Sequence, residues 1–108
     1  MSADSLADLR QDLTASVFAP HVGTAFTAWV GGEPVPLALT GVEGTGPDPD
    51  RSFVLTFRTH GPRSLSQGTY PLEHEGVGRL ALFLVPLRAD ADGAVYEAVF
   101  NRSLAPGR

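Results

Sequence analysis

The three histidines, His21, His60 and His74, are the side chains of this sequence with the clearest capacity for chemistry. An imidazole titrates near neutral pH, and it can move a proton or bind a transition metal. None of the three stands at a metal-ligand spacing from another ligand, because the carboxylates beside His74 are its immediate neighbours and would point to the opposite face of a strand. The sequence therefore predicts no metal site.

Other catalytic groups are missing or lack their usual surroundings. The chain has no cysteine, and all eight of its basic residues are arginine, which excludes a thiolate nucleophile and a lysine Schiff base. Neither Ser64 nor Ser66 lies in a Gly-x-Ser-x-Gly turn. The run from Asp90 to Asp92 resembles the start of a calcium loop, but Gly93 comes fourth rather than sixth, which is typical of a hairpin turn. We therefore predict no catalytic residues and no cofactor.

Composition and charge describe an ordinary globular domain. The chain has 108 residues, of which 43% are hydrophobic and 19% charged, enough for one core. Its net charge of −4 and its scattered arginines argue against nucleic acid as a partner. No apolar run approaches the roughly 18 residues that span a bilayer, and no basic residue precedes an apolar core at the N-terminus. We therefore expect no membrane association, no signal peptide and a cytoplasmic location.

Hydrophobic periodicity predicts one helix followed by about six strands. Residues 1–17 are predicted to form an amphipathic helix, because apolar residues recur at helical intervals at Leu6, Leu9, Leu13 and Val17. Alternating runs cut by glycine and aspartate then indicate a β domain over 18–103, and 104–108 form a C-terminal tail. Short connections favour antiparallel pairing. The predicted fold is mainly β, a small six-stranded antiparallel barrel or sandwich with one N-terminal α-helix.

The first hairpin can be placed in register from its turn. Gly31-Gly32 is a two-residue turn of the primed type, and closing the strands there sets Val30 opposite Glu33. The apolar residues of the two strands, Phe26 and Leu37 among them, then share one face. This shared face supports the register, because a slip by one residue would turn them outward.

The run from Leu80 to Leu87 is apolar on both faces of its predicted strand. If its even-numbered leucines face the core, Phe83 and Val85 face the other way, and an ordinary exposed face is not that apolar. Something is therefore expected to cover this reverse side. The two candidates are the chain's own N-terminal helix and a second subunit or partner protein.

The connection between the last two strands decides which residues share this reverse side. A five-residue loop from Ala89 to Gly93 sets Leu84 opposite Ala98, and it brings four residues together as a predicted interface: Phe83, Val85, Val95 and Val99. A four-residue loop would instead bring Val99 opposite Leu84. We favour the first register because it places the aromatic residues of the last strand with the leucines.

Four motifs resemble an uncharacterised family of small bacterial β domains. They are His21-Val22-Gly23, Gln67-Gly68-Thr69-Tyr70, Phe83-Leu84-Val85-Pro86 and Tyr96-Glu97-Ala98-Val99-Phe100-Asn101. The resemblance covers residues 18–101 and implies no catalytic residues, since the family has no known function. It also implies a link to phage-tail-like or surface structures, and with it an accessory or adaptor role.

Two functions follow as expectations. The first is a noncatalytic protein-interaction or assembly domain, with a protein partner or self-association through the reverse side. The alternative is a small-ligand-binding protein or enzyme that uses the open end of the barrel. Its predicted ligand-binding residues are His21, Tyr70, Glu73 and His74.

Overall fold

The computed structural model describes residues 13–61 and 64–101. A short helix, α1 (Ala15–Phe18), continues into a 3₁₀ turn (Ala19–His21). Six strands follow: β1 (Ala25–Val30), β2 (Glu33–Gly44), β3 (Ser52–His60), β4 (Gly68–His74), β5 (Gly78–Asp90) and β6 (Gly93–Asn101). The predicted fold class, mainly β with one N-terminal helix, is confirmed.

The strands form a closed antiparallel barrel in the order β1-β2-β3-β6-β5-β4. It consists of two three-stranded meanders, β1 to β3 and β4 to β6, which meet along β3 with β6 and along β1 with β4. The central strand of each meander contains a register shift, between Leu39 and Gly41 in β2 and between Pro86 and Arg88 in β5. Such bulges bend a strand, so β2 and β5 can pair with a different neighbour along each half.

The first hairpin has the predicted register. Gly31 and Gly32 have φ angles of 58° and 85°, which the primed turn requires and which glycine adopts without strain. Val30 pairs with Glu33, and Phe26 pairs with Leu37. Both members of the second pair are buried in the barrel, as the shared apolar face predicts.

Aromatic rings fill one end of the barrel. Phe18, at the end of α1, is fully buried, and its ring centroid lies 6.2 Å from that of Phe26, 5.9 Å from that of Phe53 and 5.9 Å from that of Phe100. Phe53 and Phe100 stack on each other with centroids 4.4 Å apart. The short helix therefore plugs this end of the barrel with the buried ring of Phe18.

Only the end of the predicted N-terminal helix lies within the described residues, and Leu6 and Leu9 lie outside them. In the described part, α1 begins at Ala15, because Thr14 has an extended backbone with φ −129° and ψ 167°. Leu13 therefore precedes α1 instead of lying on it, which corrects the sequence-based placement. It is still buried in the core cluster. Neither α1 nor the 3₁₀ turn is long enough to cross a membrane.

The turn between β5 and β6 is shorter than predicted. Asp90 pairs with Gly93, so the turn has two central residues instead of a five-residue loop. The Asp90 Oδ1 atom accepts the N–H groups of Asp92 at 2.9 Å and of Gly93 at 3.1 Å, and Arg58 donates to the same carboxylate at 3.2 Å. These hydrogen bonds, that of Asp92 first, hold the pKa of Asp90 below its usual value.

The bulge in β5 then restores the register that the sequence favoured. Beyond it, Val85 pairs with Glu97, the alignment expected from a five-residue loop. The strand pair thus uses one register beside the turn and the other farther along, with Leu87 as the extra residue. The two registers predicted as alternatives are therefore both present in one strand pair, because a bulge makes them compatible.

Val95 is the one residue of the predicted interface that is buried in the single chain. Val95 is 6% exposed, although the uninterrupted pairing of β6 with β3 leaves it on the same face as Val99. It lies level with Arg58 on one side and Arg88 on the other, and the ion pair between Arg58 and Asp90 crosses β6 beside it. These long side chains account for its burial. Val95 is therefore covered within the single chain, and its part in an interface stays a prediction.

Candidate functional site

The structure brings His21 and His74 together at one end of the barrel. The 3₁₀ turn carries His21, and His74 is the last residue of β4. Their ring centroids lie 4.7 Å apart with the planes at 61°, and the ring of Phe26 lies 4.2 Å from that of His74. Sequence spacing gave no sign of this pair, because the contact depends on β1 and β4 closing the barrel.

Every nitrogen of the His74 ring is hydrogen-bonded. Nδ1 accepts the N–H groups of Gly76 at 2.9 Å and of Val77 at 3.2 Å. Nε2 lies 2.8 Å from Oγ1 of Thr24, and this hydroxyl donates its proton to the carbonyl oxygen of His21 at 2.6 Å. Because the Thr24 proton is used there, its oxygen accepts from Nε2–H. The network therefore assigns His74 as the neutral tautomer that is protonated at Nε2.

The His21 ring packs against a glycine. A Cβ atom added to Gly76 would lie 2.5 Å from Cε1 of His21, so only glycine leaves room for the ring in this position. Neither nitrogen of His21 is hydrogen-bonded to another residue in ranges 13–61 and 64–101. We call His21, Thr24, His74 and Gly76 the histidine end.

The surroundings of His74 favour its neutral form. Partial burial lowers its pKa below the usual value, and the nearby His21 lowers it further, whereas Glu75 opposes both. A neutral ring with both nitrogens occupied is poorly placed to take up a proton or bind a metal. Among the described residues, no three histidine or acidic side chains are arranged to hold a metal ion.

Two shallow recesses of about 500 Å³ and 510 Å³ flank the histidine end. Glu73 and Arg79 line the first and form an ion pair at 3.6 Å, with both side chains about half exposed. Tyr70 lies farther along β4, and its hydroxyl donates to the carbonyl oxygen of Ser66 at 2.6 Å. Of the four predicted ligand-binding residues, three therefore gather at one end of the barrel, and Tyr70 lies apart from them.

A second candidate site lies on the outer surface of the barrel. Phe83 on β5 is 50% exposed and Val99 on β6 is 61% exposed, and continuing the register of Val85 with Glu97 places them level with each other. Val54 on β3 pairs with Val99 and is half-buried. We call Val54, Phe83, Val85 and Val99 the apolar strip.

Sequence reasoning missed two parts of these sites. It did not identify Thr24 or Gly76, whose roles depend on His74 lying beside them. It also left Val54 out of the apolar strip, although the alternation of β3 turns this residue outward. The pairing of Val54 with Val99 could have been found only from the order of the strands, in which β3 lies next to β6.

Fold and sites together define a small closed β-barrel with a packed interior, a hydrogen-bonded His74 at one end and an apolar strip that is exposed in the described part of the chain. Residues 13–100 match the model of the family DUF6916, a domain of unknown function, and the chain belongs to this family. The match confirms the resemblance to an uncharacterised family. No curated protein and no solved structure matches the chain.

Proposed function

We propose that this protein is a noncatalytic protein-interaction or assembly domain that contacts its partner through the apolar strip. The single observation that carries the proposal is the exposure of Phe83 and Val99, which lie level on neighbouring strands of a barrel whose core is already filled. Burying apolar side chains of this size against a partner lowers the free energy of the complex. Exposed apolar patches with polar borders are typical of interaction surfaces.

The distribution of charge around the strip supports the proposal. Across the sheet, Thr69 pairs with Phe83, and Val99 pairs with Val54, so this row crosses four strands without a charged residue. Charges begin at its borders, with Glu43 paired to Val54 and Glu97 paired to Val85. An uncharged centre with a charged rim is the usual arrangement of a protein interface.

The filled interior argues against a ligand inside the barrel. The inward side chains of all six strands belong to one buried cluster, which includes Leu37, Phe57, Leu72, Leu84 and Tyr96. Large barrels enclose ligands, whereas small ones are filled by their own side chains. A ligand-binding or enzymatic function would therefore depend on a recess on the outside of the barrel, and in those at the histidine end both nitrogens of His74 are already hydrogen-bonded.

The apolar strip can be tested by comparing two residues of equal exposure on one strand. Phe83→Glu places a charge in the strip, whereas Leu87→Glu places the same charge at the β5 bulge, where Leu87 is 48% exposed. Both variants should stay folded, because neither side chain belongs to the core. We expect Phe83→Glu to abolish self-association in light scattering over a range of concentrations, or to abolish capture of the partner that the parent and Leu87→Glu retain.

The outcome also separates the alternatives. A folded Phe83→Glu variant with every association of the parent would exclude the strip as an interface. If associations were instead lost in variants of Glu73 or His21, the recesses at the histidine end would be the site. The link to a phage-tail-like or surface structure, and the cytoplasmic location, remain predictions that identification of the captured partner would address.

A further inference from the structure

The hydrogen bonds at the histidine end tie three parts of the chain to one imidazole. Through Nδ1, His74 holds the N–H groups of Gly76 and Val77 in the turn between β4 and β5. Through Nε2 it holds Thr24, just before β1, and Thr24 in turn holds the carbonyl of His21. One ring therefore fastens the β4–β5 turn, the start of β1 and the 3₁₀ turn.

The hydrogen bonds of His74 lie beside the shortest strand pairing of the barrel, that between β1 and β4. β1 and β4 pair at only two positions, Thr27 with Glu73 and Ala28 with Leu72. Every other two neighbouring strands of the barrel are paired at more positions than these two. The hydrogen bond between Thr24 and His74 joins the two strands just beyond the end of this short pairing.

We infer that His74 is an acid-sensitive latch, in which a proton added at Nδ1 releases the Gly76 and Val77 amides and loosens the end of the barrel. The added proton turns Nδ1 from an acceptor into a donor that faces two donors. Both amide hydrogen bonds are then lost, whereas the bond from Nε2–H to Thr24 is kept. The turn opens first, and with it goes the surface of Gly76 on which the His21 ring rests.

The charged groups around the ring decide the direction of the effect. His21 on the 3₁₀ turn faces His74 and disfavours a positive charge on its ring, whereas Glu75 in the β4–β5 turn favours it. Glu73 on β4 is paired with Arg79 on β5. From β1 the ring meets Phe26, and from the residue just before β1 it meets Thr24; neither side chain carries a charge. Burial and His21 together outweigh Glu75, so the pKa of His74 in the folded protein lies below its ordinary value.

The sign of the pH dependence follows from this shift. The unfolded chain takes up the proton at about pH 6.5, and the folded chain takes it up only at lower pH. Between these two values the unfolded state binds more protons, so acid favours opening. The latch therefore contributes fully above about pH 6.5, and its contribution is lost as the pH falls through the folded-state pKa of His74.

Amide hydrogen exchange tests the latch directly. After correction for intrinsic exchange rates, the Gly76 and Val77 amides should open more as the pH falls from 7 to 5, by up to about tenfold per pH unit within the window. In His74→Asn the Oδ1 atom can accept the same amides and cannot be protonated, so the acceleration should disappear. His60→Asn, at an exposed histidine at the end of β3, should behave like the parent.

Three results would overturn the inference. Acceleration in His74→Asn equal to that of the parent would show that another group titrates. Amides of Gly76 and Val77 that exchange independently of pH in the parent would show that no latch exists. If His74→Asn does not fold, NMR titration of the His74 ring in the parent decides the matter, because a midpoint at or above about 6.5 contradicts the latch.

Discussion

The histidine end and the apolar strip are built on opposite principles. At the histidine end, the ring of His74 could do chemistry, but hydrogen bonds within the chain occupy both of its nitrogens. At the apolar strip, apolar side chains remain largely exposed among the described residues, and Phe83 and Val99 are the clearest case. The comparison teaches that a residue type capable of chemistry does not by itself mark a functional site, because the fold can occupy its polar atoms with internal hydrogen bonds.

Both regions rest on the same core, and the largest expected effect comes from removing what they share. The Phe18 ring contacts Phe26, which lies against His74, and Phe100, which is next to Val99 on β6. Phe18→Ala should lower the free energy of unfolding by about 3 to 5 kcal/mol, because it removes a fully buried ring and leaves a cavity. Urea unfolding measures this loss.

Val22→Ala is a suitable control for Phe18→Ala, since Val22 lies just after the 3₁₀ turn and is exposed. Its free energy of unfolding should change by less than about 0.5 kcal/mol. Equal effects of the two substitutions would mean that α1 does not plug the barrel. The two regions would then not share a core at this end.

The sequence predicted the fold better than the sites, and the reason lies in the range of the contacts. Alternation and a glycine pair are local signals, so the hairpin of Val30 with Glu33 could be placed in register without the rest of the molecule. The bulge at Leu87 has no comparable local signal, and the placing of Arg58 and Arg88 on either side of the buried Val95 depends on the order of the strands. The meeting of His21 with His74 depends on closure between β1 and β4, which no single segment encodes.

The second prediction concerns the histidine end at neutral pH. His74→Ala removes the acceptor of the Gly76 and Val77 amides, and the free energy of unfolding should fall by about 1 to 3 kcal/mol. His60→Ala is the matched control, because His60 is an exposed histidine at the end of a strand, and it should cost less than about 0.5 kcal/mol.

This prediction separates a structural histidine from a functional one. Catalytic and ligand-binding residues are often neutral or unfavourable for stability, so their removal frequently stabilises a protein. A His74→Ala variant as stable as the parent, or more stable, would indicate that the histidine end is a functional site and that His74 is not a structural residue. The association measured by light scattering should be unaffected by His74→Ala if the apolar strip is the interface.

The smallest expected effect, and the most informative one, is at the apolar strip. Val99→Thr keeps the shape and the β-branch of the side chain and replaces one methyl group by a hydroxyl. Since Val99 is 61% exposed, the free energy of unfolding of the single chain should change by less than about 0.5 kcal/mol. The same exchange at the buried Val35 should cost about 1 to 3 kcal/mol, because a hydroxyl would enter the core. Thermal or urea unfolding of both variants at low protein concentration gives the comparison.

If Val99→Thr destabilises the dilute protein as much as Val35→Thr, then Val99 is already covered within one chain and is not available to a partner. If the dilute protein is unchanged but its association weakens, the apolar character of Val99 serves an intermolecular contact, because nothing inside the barrel depends on it.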